Sequence, residues 1–136
     1  MKIFVTASKQ FYNEVAQIIP KLEKLGHRVT PPNGYDAPGE ETNMQKLNPG
    51  KYQKWKANMI KRDGKFVAAN DAILVLNFKK NGQENYIGGS TFLEMFKAFD
   101  LGKKIFLFNP LPDGMLKEEI QGFGPFIING NLTKIK

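Results

Sequence analysis

The sequence predicts an α/β domain built on a parallel sheet, and three observations lead to that fold class. Short apolar runs of strand length alternate with longer stretches at helical spacing, the order expected of a sheet covered on both faces. The run Asp71-Ala72-Ile73-Leu74-Val75-Leu76-Asn77-Phe78 is continuous enough to be buried on both sides. A chain of 136 residues is also long enough for one domain with a core of its own.

The first strand is Lys2-Ile3-Phe4-Val5-Thr6, expected at the centre of the sheet. A helix over residues 9–25 follows, with Phe11, Val15, Ile18, Leu22 and Leu25 at helical spacing. Pro20 lies inside that pattern and is expected to bend or divide it. Gly26 ends the helix, and His27-Arg28-Val29-Thr30 begins a second strand. Residues 31–50 hold Pro31, Pro32, Pro38, Pro49 and three glycines without a sustained period, which reads as a long surface loop with room for one short helical turn. Tyr52, Trp55, Met59 and Ile60 mark a helix to about Ala69, with the two aromatic residues expected in the core or at an interface and base stacking as the alternative. The third strand covers residues 71–78. A polar loop then leads to a helix over 90–101, closed by Gly102. Lys104-Ile105-Phe106-Leu107-Phe108 is the fourth strand, and a short helix near 113–121 and a strand near 126–128 complete the domain.

Composition narrows the chemistry. There is no cysteine, which excludes a thiol nucleophile, a redox pair and a cysteine-based zinc site. The single histidine, His27, sits at the sheet end remote from any ligand and excludes clustered imidazoles. No metal and no cofactor is called for. No apolar run approaches the roughly 20 residues of a membrane span, and the first residues read as a strand rather than a signal peptide, so no membrane association and a cytoplasmic location are expected. The net charge is +7, with Lys46, Lys51, Lys54, Lys56, Lys61 and Arg62 unbroken by an acid. A solvated helix face accounts for this, and no nucleic-acid-binding motif accompanies it, so nucleic acid is not the favoured partner.

Ligands of such sheets bind beyond the carboxyl ends of the strands. Three loops are expected there: residues 6–10, 77–89 and 109–114. In Gly88-Gly89-Ser90-Thr91-Phe92-Leu93-Glu94, the glycines admit a ligand close to the backbone and Ser90 is the expected helix N-cap. Glu94 is an acid in an otherwise apolar helix, expected in its first turn and held ionised there by the helix dipole. An ionised carboxylate facing a cleft can attack the anomeric carbon of a sugar. The alternative is a structural glutamate paired with Lys97 or another basic residue nearby. Asp63, towards the end of its helix where an acid is disfavoured, is the second candidate; a surface ion pair is its alternative. Thr6, Ser8, Gly88, Gly89, Ser90 and Asn109 are the candidate substrate-binding residues. Asp71 is read as a turn residue.

These residues resemble the nucleoside 2-deoxyribosyltransferase-like proteins over most of the chain. The resemblance rests on the opening strand and its loop, and on Asp63 followed eight residues later by Asp71 and a hydrophobic strand. It rests too on the glycine-rich turn before Glu94 and on Leu101-Gly102-Lys103-Lys104-Ile105. It implies a single flavodoxin-like (Rossmann-like) domain with a parallel sheet of about five strands and helices on both faces. It further implies cleavage, by hydrolysis or transfer, of the N-glycosidic bond of a nucleoside or nucleoside monophosphate. Glu94 matches the family's nucleophile and Asp63 its base-contacting aspartate. Gly88 stands where many members have an aspartate and Phe4 where transferases have a tyrosine. Asn129 and Asn131 are near the position of an amide donated by a neighbouring subunit. Those differences fit a hydrolase, or a non-catalytic nucleotide-binding module, better than base exchange. A homodimer or larger homo-oligomer is implied as well. Residues 31–50 are expected to act as a mobile lid, with Lys51, Lys54 or Arg62 reaching a phosphate from its side.

Overall fold

A computed structural model describes residues 1–136. The elements run β1 (Lys2–Thr6), a 3-10 turn (Lys9–Phe11), α1 (Tyr12–Lys24), β2 (Arg28–Thr30), α2 (Glu40–Gln45) and α3 (Pro49–Ala69). There follow β3 (Ala72–Val75), α4 (Gly89–Asp100), β4 (Lys104–Leu107), α5 (Lys117–Gly122), β5 (Phe126–Ile127) and a last 3-10 turn (Leu132–Lys134). The five strands are all parallel, in the order β2-β1-β3-β4-β5. This is the flavodoxin-like order, and it makes β3 the middle strand rather than β1. The chain moves outward from β1 to β2 and then crosses back to β3, which leaves a crevice at the carboxyl ends of β1 and β3.

Alternation along the strands divides the core in two. Ile3, Val5, Ala72, Leu74 and Phe106 pack on one face with Val15, Ile18 and Leu22 of α1 and with Ile128 and Ile135 of the C-terminal segment. Phe4, Ile73, Val75, Ile105 and Leu107 pack on the other with Val67 of α3, Met95 and Ala98 of α4, and Ile120 of α5. Full burial of each large aliphatic side chain stabilises the fold by about 1.5–3 kcal/mol.

The helix ends follow from local chemistry. Gly26 takes φ +93°, its amide meets Glu23 O at 2.9 Å, and the His27 amide meets Leu22 O at 3.1 Å. Gly102 repeats this at the end of α4, where the Lys103 amide meets Ala98 O at 2.8 Å. Both are Schellman caps, which explains the Leu-Gly-Lys segment as a helix stop. Pro20 lies on the exposed side of α1 and does not divide it. The helix α3 begins three residues before the predicted start, because Asn48 accepts the Lys51 amide at 2.9 Å and Pro49 fills the first helical position. No helix is long and apolar enough to cross a membrane.

Asn77 is fully buried just beyond β3 and ties the sheet to the loop after β4. Its Nδ2 donates to Asn109 O at 3.1 Å and Pro110 O at 2.9 Å, while its Oδ1 accepts the Asn109 amide at 2.8 Å. The stiff Asn109-Pro110 segment is thereby spent on bracing.

Candidate active site

The inner stripe of α4 is Thr91, Glu94, Met95 and Ala98, a spacing that turns all four towards the sheet. Its end nearest the carboxyl edge is polar, and there Thr6, the last residue of β1, faces it. Thr6 Oγ1 donates to Glu94 Oε1 at 3.0 Å and lies 3.3 Å from Thr91 Oγ1. Glu94 is only 7% exposed. The N-cap of α4 is Gly88, without a side-chain capping bond, so Ser90 is inside the helix and Glu94 sits in the second turn rather than the first. The dipole therefore reaches Glu94 weakly, and the expected stabilisation of its anion is overturned. Burial, and next the charge of Asp63, push its carboxyl well above the usual range. No ion pair joins it to Lys97, whose stem instead lies near Gly64.

Asp63 reaches the same place from α3. Its Oδ1 accepts Asn33 Nδ2 at 2.8 Å, and the same nitrogen donates to Met59 O at 3.2 Å. Burial raises the Asp63 carboxyl above its ordinary value, against the lowering effect of Asn33 and of Lys56. Asn33 belongs to the loop after β2, which also places its carbonyl 3.3 Å from the Tyr12 hydroxyl. Tyr12 is pushed up to about 12 by burial and by the surrounding acids, Glu41 first. Both carboxyl groups are thus shifted towards their neutral forms by burial, Glu94 also by the charge of Asp63.

Both acids line one cleft of about 520 Å³ at the crevice between β1 and β3. Thr6, Ser8, Gly88, Gly89 and Ser90 line it too, so the structure brings these five together with Glu94 and Asp63. Asn109 is not among the lining residues; its amide and side chain are bonded to Asn77. The loop after β2 takes the place in the cleft wall expected for residues 109–114. Asp71, at the opposite end, accepts the Lys2 amide at 2.8 Å, and His27 bonds the N-terminal amine at 3.1 Å.

Sequence reasoning missed several lining groups. Trp55 faces the cleft instead of the core and donates to Glu40 at 3.2 Å. The cationic groups are Lys9, Lys56 and Lys80, not Lys51, Lys54 or Arg62. Lys51 and Lys54 are exposed, and Arg62 lies 5.2 Å over the Phe66 ring. The helix phase of α3 carries the needed signal: Trp55, Lys56, Met59 and Asp63 are spaced to share one face. Ser8 does not cap the first helix; its hydroxyl meets Lys80 Nζ at 3.0 Å. A side chain at Gly88 would place its Cβ 3.2 Å from the Tyr86 hydroxyl, so Tyr86 occupies the space that an aspartate there would need.

No protein-family model and no curated protein matches the chain. Among solved structures, it is similar to the Clostridium botulinum CMP N-glycosidase BcmB, with a TM-score of 0.57 and 16% identity over 99% of this chain and 98% of that one. The likeness extends over the whole domain and shows its fold, the one implied by the resemblance to nucleoside 2-deoxyribosyltransferase-like proteins.

Proposed function

We propose that this protein cleaves the N-glycosidic bond of a nucleoside or nucleoside monophosphate, with Glu94 as nucleophile and Asp63 as acid. The observation that carries this reading is the meeting of the two carboxyl groups, from α4 and α3, in one cleft at the switch point of the sheet. The CMP N-glycosidase named above supports it through the shared fold.

In the first step the Glu94 carboxylate attacks C1′ as the C1′–N bond breaks. The bonding pair leaves with the base nitrogen, which takes the proton of Asp63. Water then attacks C1′ of the glycosyl-enzyme, gives its proton to Asp63, and regenerates Glu94. The reactive form has Glu94 ionised and Asp63 protonated. Burial and the Asp63 charge oppose ionisation of Glu94, while burial favours the protonated Asp63 that the first step uses. Thr6 favours the productive arrangement, because its hydroxyl stabilises the Glu94 anion without acting on Asp63. Trp55, Tyr12 and Tyr86 supply aromatic surface for the base and sugar.

Incubation with a panel of nucleosides and their monophosphates, followed by chromatography for free base, tests the reading. Binding without base release at stoichiometric protein would leave a nucleotide-binding module. The burial that opposes ionisation of Glu94, the form a nucleophile needs, favours that second reading. Nucleosides and their monophosphates are cytoplasmic metabolites, which makes the cytoplasm the proposed site of action.

A homodimer belongs to the same proposal. Leu93, Phe96, Phe99 and Leu101 of α4 and the turn after it are each about half exposed, and Leu93, Phe96 and Leu101 form a groove with Ile60 of α3. Sedimentation of the wild type and Phe96→Glu checks it; a monomeric wild type rejects it.

A further inference from the structure

Glu41 is held between lysines from opposite walls of the cleft. Its Oε1 lies 3.5 Å from Lys9 Nζ in the turn after β1, and its Oε2 lies 3.1 Å from Lys56 Nζ on α3. Lys56 Nζ is also 3.4 Å from Ser90 Oγ, in the uncapped first turn of α4. Lys80 meets Ser8 at 3.0 Å on the same rim and has no carboxylate partner. Lys9, Lys56, Lys80, two hydroxyls and free helix amides therefore gather around one end of the cleft, and Glu41 supplies the one carboxylate bonded to those lysines.

The element that carries Glu41 has little else to hold it. The helix α2 buries none of its residues. Its remaining side-chain ties are Glu40 to Trp55 at 3.2 Å and Gln45 to Tyr52 at 3.4 Å. Half-exposed ion pairs of this kind contribute at most about 1 kcal/mol each. Burial raises the Glu41 carboxyl, but Lys56 and Lys9 outweigh this and hold it below its ordinary value, so it is an anion at neutral pH.

We propose that Glu41 is an internal placeholder for the phosphate of a phosphate monoester ligand, and that an incoming phosphate takes Lys56 and Lys9 from it. Ser90, Ser8 and Lys80 complete the contacts, and α2 moves off its lysines as the ligand enters. A monoester phosphate carries nearly twice the charge of a carboxylate at neutral pH and has three acceptor oxygens, so it wins this competition. The contact then acts as a filter: an unphosphorylated nucleoside leaves Glu41 in place, whereas a monophosphate displaces it. The inference rests on the proposed nucleotide reading for its ligand, and it adds a selectivity device at the edge of that site.

The test is calorimetric titration with ribose 5-phosphate, inorganic phosphate and ribose. In wild type, ribose 5-phosphate binds measurably more tightly than ribose. Glu41→Gln removes the competing charge and tightens ribose 5-phosphate and inorganic phosphate by about threefold or more, with ribose unchanged. Glu41→Ala behaves alike. Lys56→Gln weakens both phosphate ligands by about tenfold, and Glu41→Gln added to Lys56→Gln has less than half its effect alone. Unchanged or weaker phosphate binding in Glu41→Gln overturns the proposal, as does a wild type that does not distinguish ribose 5-phosphate from ribose. Failure of the enzymatic reading is separable, because these titrations need no turnover. Base release from nucleosides with no effect of Glu41→Gln on phosphate would retain catalysis and reject the placeholder.

Discussion

Thr6 Oγ1 donates to Glu94 Oε1 at 3.0 Å, joining the end of the first strand to the inner face of α4, and this is the one side-chain hydrogen bond that Glu94 makes. It opposes the two influences, burial and the Asp63 charge, that drive the carboxyl towards its neutral form. Thr6→Val removes the donor and raises the Glu94 pKa further. The acid side of the pH–rate profile should then move to higher pH, with stability lowered by about 1 kcal/mol. Thr6→Ser should restore the profile. A Thr6→Val profile superimposable on wild type would mean that the bond does not act on the reacting carboxylate.

Asp63 acts on Glu94 in the opposite sense. Its charge is the second cause of the raised Glu94 pKa, so Asp63→Asn should lower that pKa and move the acid limb to lower pH. The proton donor is lost at the same time, and the maximal rate should fall by about a hundredfold or more. Asn33 retains an acceptor in the substituted amide, so the fold should hold. A reduced rate with an unmoved acid limb would separate the two acids.

Glu94→Gln tests the nucleophile together with its energetic cost. Base release should fall by roughly three orders of magnitude or more, as expected when a covalent nucleophile is removed. Stability should be unchanged or higher at neutral pH. The folded-state pKa of Glu94 is raised, so its contribution to stability is fully present below the unfolded value of about 4.3 and is lost as pH rises through the folded value. Wild type should therefore lose stability across that window, and Glu94→Gln should flatten the dependence. Melting curves from about pH 4 to about pH 8 provide the check. A variant that loses stability along with activity would mark Glu94 as a structural residue.

The sheet was legible because its determinants are local: strand-length apolar runs, and glycines at positions 26 and 102 that stop two helices. The two acids were legible because each conflicts with its surroundings, one inside an apolar stripe and one late in a helix. Their ionisation was not legible. It depends on the distance between α3 and α4 and on a helix start at Gly88 that the sequence places two residues later, at Ser90. Asn33, Tyr12 and Glu41 escaped notice for a related reason, since long-range packing of the loop after β2 brings them to the cleft. Lys56 was visible only as part of a basic segment, and the orientation of α3 singles it out from Lys51, Lys54 and Arg62.

The last prediction concerns residues 31–50, the segment expected from its prolines and glycines to act as a lid. Two parts of it behave differently in the structure. Pro32, Asn33, Gly34 and Ala37 to Glu41 line the cleft, whereas α2 fully buries no residue, with Met44 half-buried and Glu40, Glu41 and Gln45 making its side-chain hydrogen bonds. Closure over a bound nucleoside monophosphate should protect the amides of the first part, because the ligand and the segment exclude water together. Displacement of Glu41 should do the reverse in α2, where the Asn43 amide bonds to Gly39 O at 3.0 Å and depends on the helix staying in place. Hydrogen exchange with and without saturating monophosphate resolves the two parts. The expected pattern is slower exchange at 33–39 and faster exchange at 43–47. Uniform protection across the segment would retain the lid and reject the release of α2, and unchanged exchange throughout would reject both.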